Sequence, residues 1–271
     1  MENSKLYELL DIPHEVASRL EEYGRVRDIR IPDDVCRKLF LRTEWDEGVR
    51  QLQSLWDDDP DGIKILWEQL NIVSGYTYGE YCKRGIPEEV FAATMKFCTR
   101  FLREHYKTFG FYKYVCAWWF PRQMSLNEFR IGALEYEFID GEEREVAVHI
   151  PSDADMGTRS IQNSLADFYE FREKYYSGWE DVQLTCDTWM LMPELQQFLG
   201  EDSHIAAFQR LFEIDSIDRE AVWYMEWIFP GYGTVDENLP EKTSLQRELK
   251  KYLLAGKKFG IAKGHIKSSS N

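Results

Sequence analysis

FRIGALEYEF, residues 129–138, opens the stretch that decides the fold of this chain. Its apolar residues recur at roughly every second position, with one shift, as expected for a half-buried strand. A turn at Asp140-Gly141 precedes a second alternating segment, EVAVHIP (Glu145–Pro151). The two faces of that segment are Val146, Val148 and Ile150 on one side, and Glu145, Ala147 and His149 on the other. Two neighbouring strands are therefore predicted here.

A polar loop after the second strand leads straight into a helix. Residues 152–160 contain Gly157, and residues 161–176 have the apolar spacing of an amphipathic helix. The first N–H groups of a helix lack backbone partners, and the helix dipole is positive at that end. The loop is therefore a candidate binding site for a phosphate or pyrophosphate group.

The composition indicates a folded protein with enough apolar residues for two domains. The 271 residues are 44% hydrophobic and 15% aromatic. No apolar run approaches the length of a membrane span, and the acidic N-terminus lacks the pattern of a signal peptide. The five cysteines are widely spaced and form no Cys-x-x-Cys pair, which favours a reducing compartment. We therefore expect a cytoplasmic protein without a membrane partner.

The formal net charge of −15 argues against a nucleic-acid partner, because neutralisation of phosphates supplies much of the affinity for nucleic acids. Neutral or cationic substrates are favoured instead. The segment 242–267 is a basic exception. It is either a solvated helix face with a basic tail or a local attraction for a phosphorylated cofactor.

Helical periodicity fills the first part of the sequence and alternates with strand patterns in the rest. Helices are predicted at 13–23, 32–41, 43–56, 62–72 and 87–106. Further strands are predicted at 112–120, 182–192 and 222–229, with helices at 161–176, 193–199, 203–211 and 243–255. We therefore expect an all-helical N-terminal domain, residues 1–110, and an α/β (α+β) domain, residues 111–271, with a mixed sheet and flanking helices.

The segment 57–68 matches the calcium-loop pattern D-x-D-x-D-G-x5-E. Its interior does not suit calcium, because Pro60 occupies the fourth position and Ile65 the ninth, where an oxygen ligand or water is needed. A helix start explains the same residues, with Asp59 or Asp61 as its cap. The five histidines are scattered without metal-ligand spacing, so no metal is expected.

A cysteine nucleophile is the least favoured chemistry. Cys186 is followed by Asp187, and His149 lies in a neighbouring predicted strand, so a thiolate and its base are conceivable. Cys186 nevertheless lies within an apolar strand, where buried cysteine is a common core residue. The sequence also lacks the Gly-x-Ser-x-Gly elbow of many hydrolases.

The predicted order of elements resembles the core of the GCN5-related N-acyltransferases (GNAT). That order is strand, strand, loop, helix, strand, helix, strand, strand. The whole sequence also resembles a family of bacterial acyltransferase-domain proteins, which join a helical N-acyltransferase N-terminal domain to a GNAT-like C-terminal domain. The segments that carry this resemblance include Asp59-Pro-Asp-Gly62, Phe91-Ala-Ala-Thr-Met-Lys96, Trp118-Trp119, Phe129-Arg-Ile-Gly132, His149-Ile-Pro-Ser-Asp-Ala154, Phe208-Gln209 and Leu239-Pro-Glu-Lys-Thr-Ser-Leu-Gln246. The resemblance implies a GNAT-like fold and acetyl-CoA or another acyl-CoA as co-substrate.

The resemblance also implies how acyl-CoA would bind. The pantetheine arm would pair with the backbone of the second strand, and the pyrophosphate would lie in the loop that follows. The implied contacts are Val148, Ile150, Ser152, Gly157, Thr158, Arg159 and Ser160. The loop pattern of the fold, Gln/Arg-x-x-Gly-x-Gly/Ala, keeps its central glycine at Gly157, whereas Ala154 and Arg159 depart from it. The alternative is that Gly157 is only a turn residue.

Transfer of an acyl group to an amine needs a base for the amine and a proton donor for the leaving thiolate. Glu145 and His149 share a strand face and are candidate bases, with Glu137 on the preceding strand as a third. Many GNAT enzymes use a tyrosine as the acid, and Phe208 occupies the corresponding place. Two functions stay open: acyl-CoA-dependent N-acylation of a small-molecule or peptide amine, and ligand or peptide binding by a catalytically silent GNAT fold.

Trp118, Trp119 and Arg122 form a further cluster. Trp119 and Arg122 are candidate substrate-binding residues, since aromatic faces and a guanidinium suit a cationic or carboxylated ligand. The alternative is that the tryptophans belong to the core. We expect a cleft between the two domains near Trp119, Arg122, His149 and Gly157.

Overall fold

The computed structural model describes residues 1–27, 29–56, 58–200 and 202–267. Asp57, the first residue of the calcium-like segment, and the serines at 268–270 lie outside the described residues. The chain divides into two compact units, the first Met1–Ile131 and the second beginning at Gly132. Within the described ranges, no helix combines the length and the apolar character that crossing a membrane requires.

The first unit is built of helices. Its α-helices in the described residues are α1 (Asn3–Leu9), α2 (His14–Val26), α3 (Asp33–Lys38), α4 (Trp45–Gln53), α5 (Ile63–Ile72), α6 (Tyr78–Arg84), α7 (Glu88–Met95), α8 (Phe97–Phe109) and α9 (Pro121–Met124). A 3₁₀ turn, Arg42–Glu44, precedes α4, and a π-helical turn, Val73–Thr77, joins α5 to α6. The strand β1 (Glu128–Ile131) ends the unit. The prediction of a helical N-terminal region is confirmed.

Two predictions for this unit were wrong. The predicted helix 87–106 is two helices, α7 and α8, which are separated at Lys96. The predicted strand 112–120 is not a strand, because residues 117–120 form a turn ahead of α9. Within the segment 112–120, Tyr114 donates its backbone N–H to the carbonyl of Asp61 at 2.9 Å. Tyr114 and Phe120 are buried, so the segment packs into the unit without joining a strand ladder.

The N-cap residue of α5 is Gly62, so the prediction of Asp59 or Asp61 at that position was wrong, although Asp59 contacts the first turn of the helix. Its carboxylate oxygens accept hydrogen bonds from the backbone N–H groups of Lys64 and Ile65, at 3.1 and 3.0 Å. Gly62 precedes the helix with φ of 68°, and a Cβ there would lie 2.3 Å from the carbonyl oxygen of Tyr114. Only glycine satisfies both conditions, so the calcium-like spacing reflects a helix start.

The second unit contains a mixed sheet flanked by helices, which confirms the predicted fold class. Its strands are β2 (Leu134–Asp140), β3 (Arg144–His149), β4 (Leu184–Thr188), β5 (Phe212–Asp218) and β6 (Ile261–Ile266). Its α-helices are α10 (Thr158–Tyr175), α11 (His204–Gln209), α12 (Tyr224–Ile228) and α13 (Ser244–Leu254), with 3₁₀ turns at Trp189–Leu191 and Pro193–Gln197. The strands are hydrogen-bonded in the order β2-β3-β4-β6-β5. β3 and β4 are parallel, as a crossover through α10 allows, and the other pairs are antiparallel.

Residues 129–138 do not form one continuous strand. The chain turns at Gly132, which has a φ of 61°, and β2 begins at Leu134. A Cβ at position 132 would lie 3.1 Å from the Cβ of Ser164 on α10. The shift in the apolar alternation of this segment marks the turn.

The strand predicted at 222–229 was also wrong, because these residues contain α12. Its buried side chains are Tyr224, Met225 and Ile228, which lie at helical spacing. Conversely, the sequence analysis missed β5 and β6. Only Phe212 of β5 is buried, so β5 has no buried apolar face, and β6 lies in the segment that was noted for its basic residues. Both strands form through pairing with neighbours that are distant in sequence.

One face of the sheet packs against α10. The ring of Tyr136 on β2 stacks on Phe168 of α10 with centroids 4.0 Å apart, and its hydroxyl lies 2.9 Å from the hydroxyl of Ser164. β3 adds two buried valines to this face, Val146 and Val148. The alternation of strands then places Glu145, His149 and their neighbours on the opposite face, which is called the polar face below.

Candidate active site

The parallel strands β3 and β4 are paired over a short stretch. Their register comprises Val146↔Leu184 and Ala147↔Thr185. Both strands continue past these pairs, β3 to His149 and β4 to Thr188. Among the described residues no further ladder joins the two strands, so they part toward their C-terminal ends. We call this opening the splay.

The backbone of β3 presents polar groups to the splay. The N–H of Val146 donates to the carbonyl of Gln183 beside β4, at 3.0 Å. Backbone groups alternate in direction along a strand, so those of Val148 and Ile150 point to the same side as those of Val146. An extended amide chain in the splay would therefore meet Val148 and Ile150.

The loop after β3 leads from the splay to the N-terminus of α10. Gly157 is the N-cap residue of α10, and as a glycine it has no side chain with which to cap the helix. The N–H of Gly157 donates instead to a carboxylate oxygen of Asp155, at 3.0 Å. Ser152, Thr158 and Arg159 are exposed. The loop therefore leads to a helix N-terminus, as the sequence predicted, and Asp155 places a negative charge beside it.

His149 and Glu137 are in contact on the polar face. Nε2 of His149 lies 3.1 Å from Oε2 of Glu137. The side chain of His149 is 27% exposed, whereas that of Glu137 is only 4% exposed. A buried carboxylate that accepts this hydrogen bond fixes the ring and favours the tautomer with the proton on Nε2. The structure thus joins two of the three predicted base candidates.

Glu145, the third candidate, has other partners. Its Oε2 accepts hydrogen bonds from the hydroxyl of Thr185, at 3.0 Å, and from Nζ of Lys263, at 2.8 Å. A carboxylate that is already bound to an ammonium group is a poor acceptor for a substrate proton. Glu145 is therefore a weaker candidate base than His149.

Phe208 supplies no proton donor. It is 2% exposed on α11, and its ring centroid lies 4.9 Å from that of Phe212. It lines a small cavity of about 20 Å³ together with Met156 and Thr158, close to the start of α10. The position predicted to correspond to the acid is therefore a packed apolar ring.

Trp119 and Arg122 lie in the first unit, where they contact each other. The guanidinium carbon of Arg122 lies 4.3 Å from the centroid of Trp119 and 5.1 Å from that of Trp45. The indole N–H of Trp119 donates to the carboxylate of Glu128 at 2.9 Å. Trp118 is 50% exposed, which contradicts its assignment to the core. Arg122 stacks against these indole rings, which makes them a support for the arginine.

Cys186 does not face His149. It is 1% exposed on β4, and residues alternate between the faces of a strand, so it lies on the side away from Thr185 and the polar face. Burial raises the pKa of its thiol well above the ordinary value. The cysteine nucleophile considered from the sequence is therefore excluded by position and by protonation.

The sequence analysis missed Lys263 and Thr185 as members of the polar face. Lys263 lies on β6, and this strand was not predicted because the segment was interpreted from its basic composition. Thr185 lies one residue from Cys186, within a strand that was predicted. Only the register, which sets Thr185 opposite His265 and Asp187 opposite Lys263, brings these groups to one face.

Comparisons with known proteins agree with this fold. The GNAT-like C-terminal domain family matches residues 129–266, and the N-acyltransferase N-terminal domain family matches residues 1–126. No curated protein is significantly similar in sequence. A solved acyltransferase in complex with decanoyl-CoA and teicoplanin is 19% identical, covers 98% of this chain and 99% of its own, and has a TM-score of 0.70.

A mutant acyltransferase solved with octanoyl-CoA is equally similar, with 19% identity, a TM-score of 0.70, and coverage of 99% of this chain and 100% of its own. At this identity the likeness shows the fold. The two family matches together span nearly the whole sequence. This chain therefore belongs to the N-acyltransferase family that joins an N-acyltransferase N-terminal domain to a GNAT-like C-terminal domain.

Proposed function

We propose that this protein transfers an acyl group from acyl-CoA to an amine. The observation that carries the proposal is the splay between β3 and β4, from which the chain runs directly into α10. Such a splay offers strand backbone to the amide groups of a pantetheine arm, and the helix N-terminus offers N–H groups to a pyrophosphate. Solved neighbours contain decanoyl-CoA, octanoyl-CoA or CoA, which supports the same co-substrate here.

In this proposal the pantetheine arm pairs with Val148 and Ile150. The pyrophosphate lies against the loop and the first turn of α10, at Ser152, Gly157, Thr158, Arg159 and Ser160. The Asp155 carboxylate must then release the N–H of Gly157, because it occupies a donor that the pyrophosphate needs. The exposed guanidinium of Arg159 offsets this acidic neighbour by adding a positive charge at the same helix end.

His149 acts as the base. The amine nitrogen attacks the thioester carbon, a C–N bond forms, and the imidazole takes a proton from the nitrogen. The C–S bond then breaks, and the imidazolium returns that proton to the CoA thiolate. Glu137 holds the ring and stabilises its charged form. One residue thus serves as base and then as acid, which accounts for the absence of a donor at Phe208.

The acceptor in this proposal is a small-molecule or peptide amine. A solved neighbour binds teicoplanin, a glycopeptide antibiotic, together with decanoyl-CoA. The exposed ring of Trp118, beside Trp119 and Arg122, is a candidate contact for an acceptor of this kind.

A catalytically silent protein that binds a ligand is the second candidate. It is favoured by Phe208 at the place of the acid and by Asp155 at the place of the pyrophosphate. In that case the splay binds CoA or a peptide strand without turnover.

Titration calorimetry with CoA, acetyl-CoA and decanoyl-CoA tests the co-substrate. We expect micromolar binding, about −8 kcal/mol, that weakens in Arg159→Gln. Lys174→Gln, at the other end of α10, is the matched control and should bind like the wild type. Thiol release from decanoyl-CoA with a panel of amines then separates the two functions. Binding without release favours the silent protein, and no binding of any CoA species contradicts the proposal.

A further inference from the structure

Asp187 stands across the splay from His149. In a parallel pair, registered residues point to the same face, so Ala147 and Thr185 share the polar face. His149 is two residues beyond Ala147, and Asp187 is two residues beyond Thr185. Both side chains therefore lie on the polar face, one on each strand that bounds the splay.

Asp187 accepts no hydrogen bond and forms no ion pair within the described residues, unlike Glu145 on the same face. Lys263 is its register partner on β6, but Nζ of Lys263 lies 2.8 Å from Oε2 of Glu145. In the part of the chain that the structure describes, no hydrogen bond or ion pair reaches the Asp187 carboxylate. Aspartate is disfavoured in strand interiors, so neither propensity nor pairing explains this residue.

The surroundings of Asp187 favour a cation. Partial desolvation is the main cause that raises the pKa of the carboxyl group, although the side chain remains exposed on one side. The positive charges of Lys263 and His149 lower the pKa, and the negative charges of Asp218 and Glu145 raise it. A bound ammonium group would add a further positive charge beside the carboxylate and so lower this pKa.

We infer that Asp187 binds the ammonium group of the acceptor and holds its nitrogen beside His149. The inference rests on the proposed N-acyl transfer and deepens it, because it names a primary amine in its protonated form as the substrate class. The ammonium group binds as an ion pair, with no bond broken. One proton of the ammonium group passes to water. The neutral nitrogen then attacks the thioester carbon, a C–N bond forms, and His149 takes a second proton from the nitrogen. The C–S bond breaks, and the imidazolium returns that proton to the CoA thiolate. Asp187 stays ionised and stabilises the positive charge on nitrogen in the tetrahedral intermediate.

Butylammonium chloride is a suitable probe, with sodium chloride at equal concentration as the salt control. The imidazole NMR signals of His149, assigned with His149→Gln, report its binding. We expect a saturable shift of these signals in the wild type and in Asp167→Asn, which removes the same charge from the exposed side of α10. The shift should be lost in Asp187→Asn. A shift that persists in Asp187→Asn, or that is absent from the wild type, overturns the inference.

Thermal unfolding separates a site residue from a structural one. A carboxyl group whose pKa is raised on folding destabilises the folded state at pH values above its ordinary pKa, and this cost is absent at lower pH. Asp187→Asn should therefore leave Tm unchanged or raise it at pH 7. A lower Tm, equal to that caused by removing a structural contact, would assign Asp187 to the fold instead.

Kinetics connect the inference to the reaction. In thiol-release assays with butylamine, Asp187→Asn should raise KM for the amine at least tenfold and leave KM for decanoyl-CoA unchanged. If the wild type does not bind decanoyl-CoA in calorimetry, the proposed function is contradicted. The butylammonium experiment then still tests by itself whether Asp187 binds an ammonium group. An unchanged KM for the amine in Asp187→Asn contradicts the role of Asp187 and leaves the proposed function intact.

Discussion

The two faces of the sheet in the second unit differ in what their side chains contact. On the face toward α10, Tyr136 stacks on Phe168 and also meets the hydroxyl of Ser164. On the polar face, Glu145 has two donors, whereas Asp187 has none among the described residues. The first face is satisfied by packing and by hydrogen bonding within the unit. The second face keeps the carboxylate of Asp187 available beside the splay. The packed face therefore stabilises the fold of the unit, and the polar face carries the residues proposed to bind substrate.

The largest expected effect is on the packed face. Phe168→Ala removes a fully buried ring that stacks on Tyr136, and it should lower the free energy of unfolding by about 3–5 kcal/mol. Urea unfolding followed by circular dichroism measures the change. Tyr169→Ala, next to it but 40% exposed, is the control and should cost far less. Equal losses in the two variants would mean that α10 does not pack as described.

His149→Gln should have the next largest effect and should act on turnover. Loss of the base is expected to slow thiol release by about 10²-fold or more. Stability and the affinity for decanoyl-CoA should stay unchanged, because His149 is partly exposed and lies on the polar face. Glu145→Gln is the comparison, with a much smaller effect on rate. The reverse ranking of these two variants would reassign the base.

The ion pair between Glu145 and Lys263 should matter modestly. The two side chains are 27% and 41% exposed, so solvent screens their attraction. We expect a coupling energy of at most about 1 kcal/mol. A double-mutant cycle with Glu145→Gln and Lys263→Met, read by chemical denaturation, measures it. A coupling of several kcal/mol would show that the polar face contributes to folding as strongly as the packed face does.

The smallest effect concerns the loop before α10. Asp155→Asn removes a negative charge from a helix N-terminus that is proposed to hold a pyrophosphate. Such charges are worth about 0.3–1 kcal/mol, so CoA should bind about two- to fivefold more tightly in calorimetry. The gain should shrink at high salt. Weaker binding by this variant would show that Asp155 organises the loop for CoA, as its contact with the N–H of Gly157 permits.

Local sequence signals were sufficient for part of this site. Alternation in EVAVHIP placed Glu145 and His149 on one face of β3, and the structure confirms that strand. Helical spacing located α10 and α13, and α13 begins with a capping box formed by Thr243 and Gln246. These features depend on residues close together in the chain, where propensity and periodicity act.

The remainder depends on contacts between distant segments. No local pattern predicts that Lys263 forms an ion pair with Glu145, 118 residues away, or that β6 pairs with β4. The exposed and charged sequence of β5 has the composition of a loop, and pairing with β6 makes it a strand. The parting of β3 and β4, which carries the proposed function, is likewise a matter of register and has no residue signature.

The place of β6 has a consequence for synthesis of the protein. β6 lies between β4 and β5, yet it follows both in the chain. While the ribosome is still adding residues 261–266, β4 has one unpaired edge, and β5 has no neighbour in the sheet. A nascent chain therefore carries an open strand edge until β6 has been synthesised and has left the ribosome. Ribosome-stalled chains that end before Ile261 should bind holdase chaperones, and those extended well beyond Ile266 should release them.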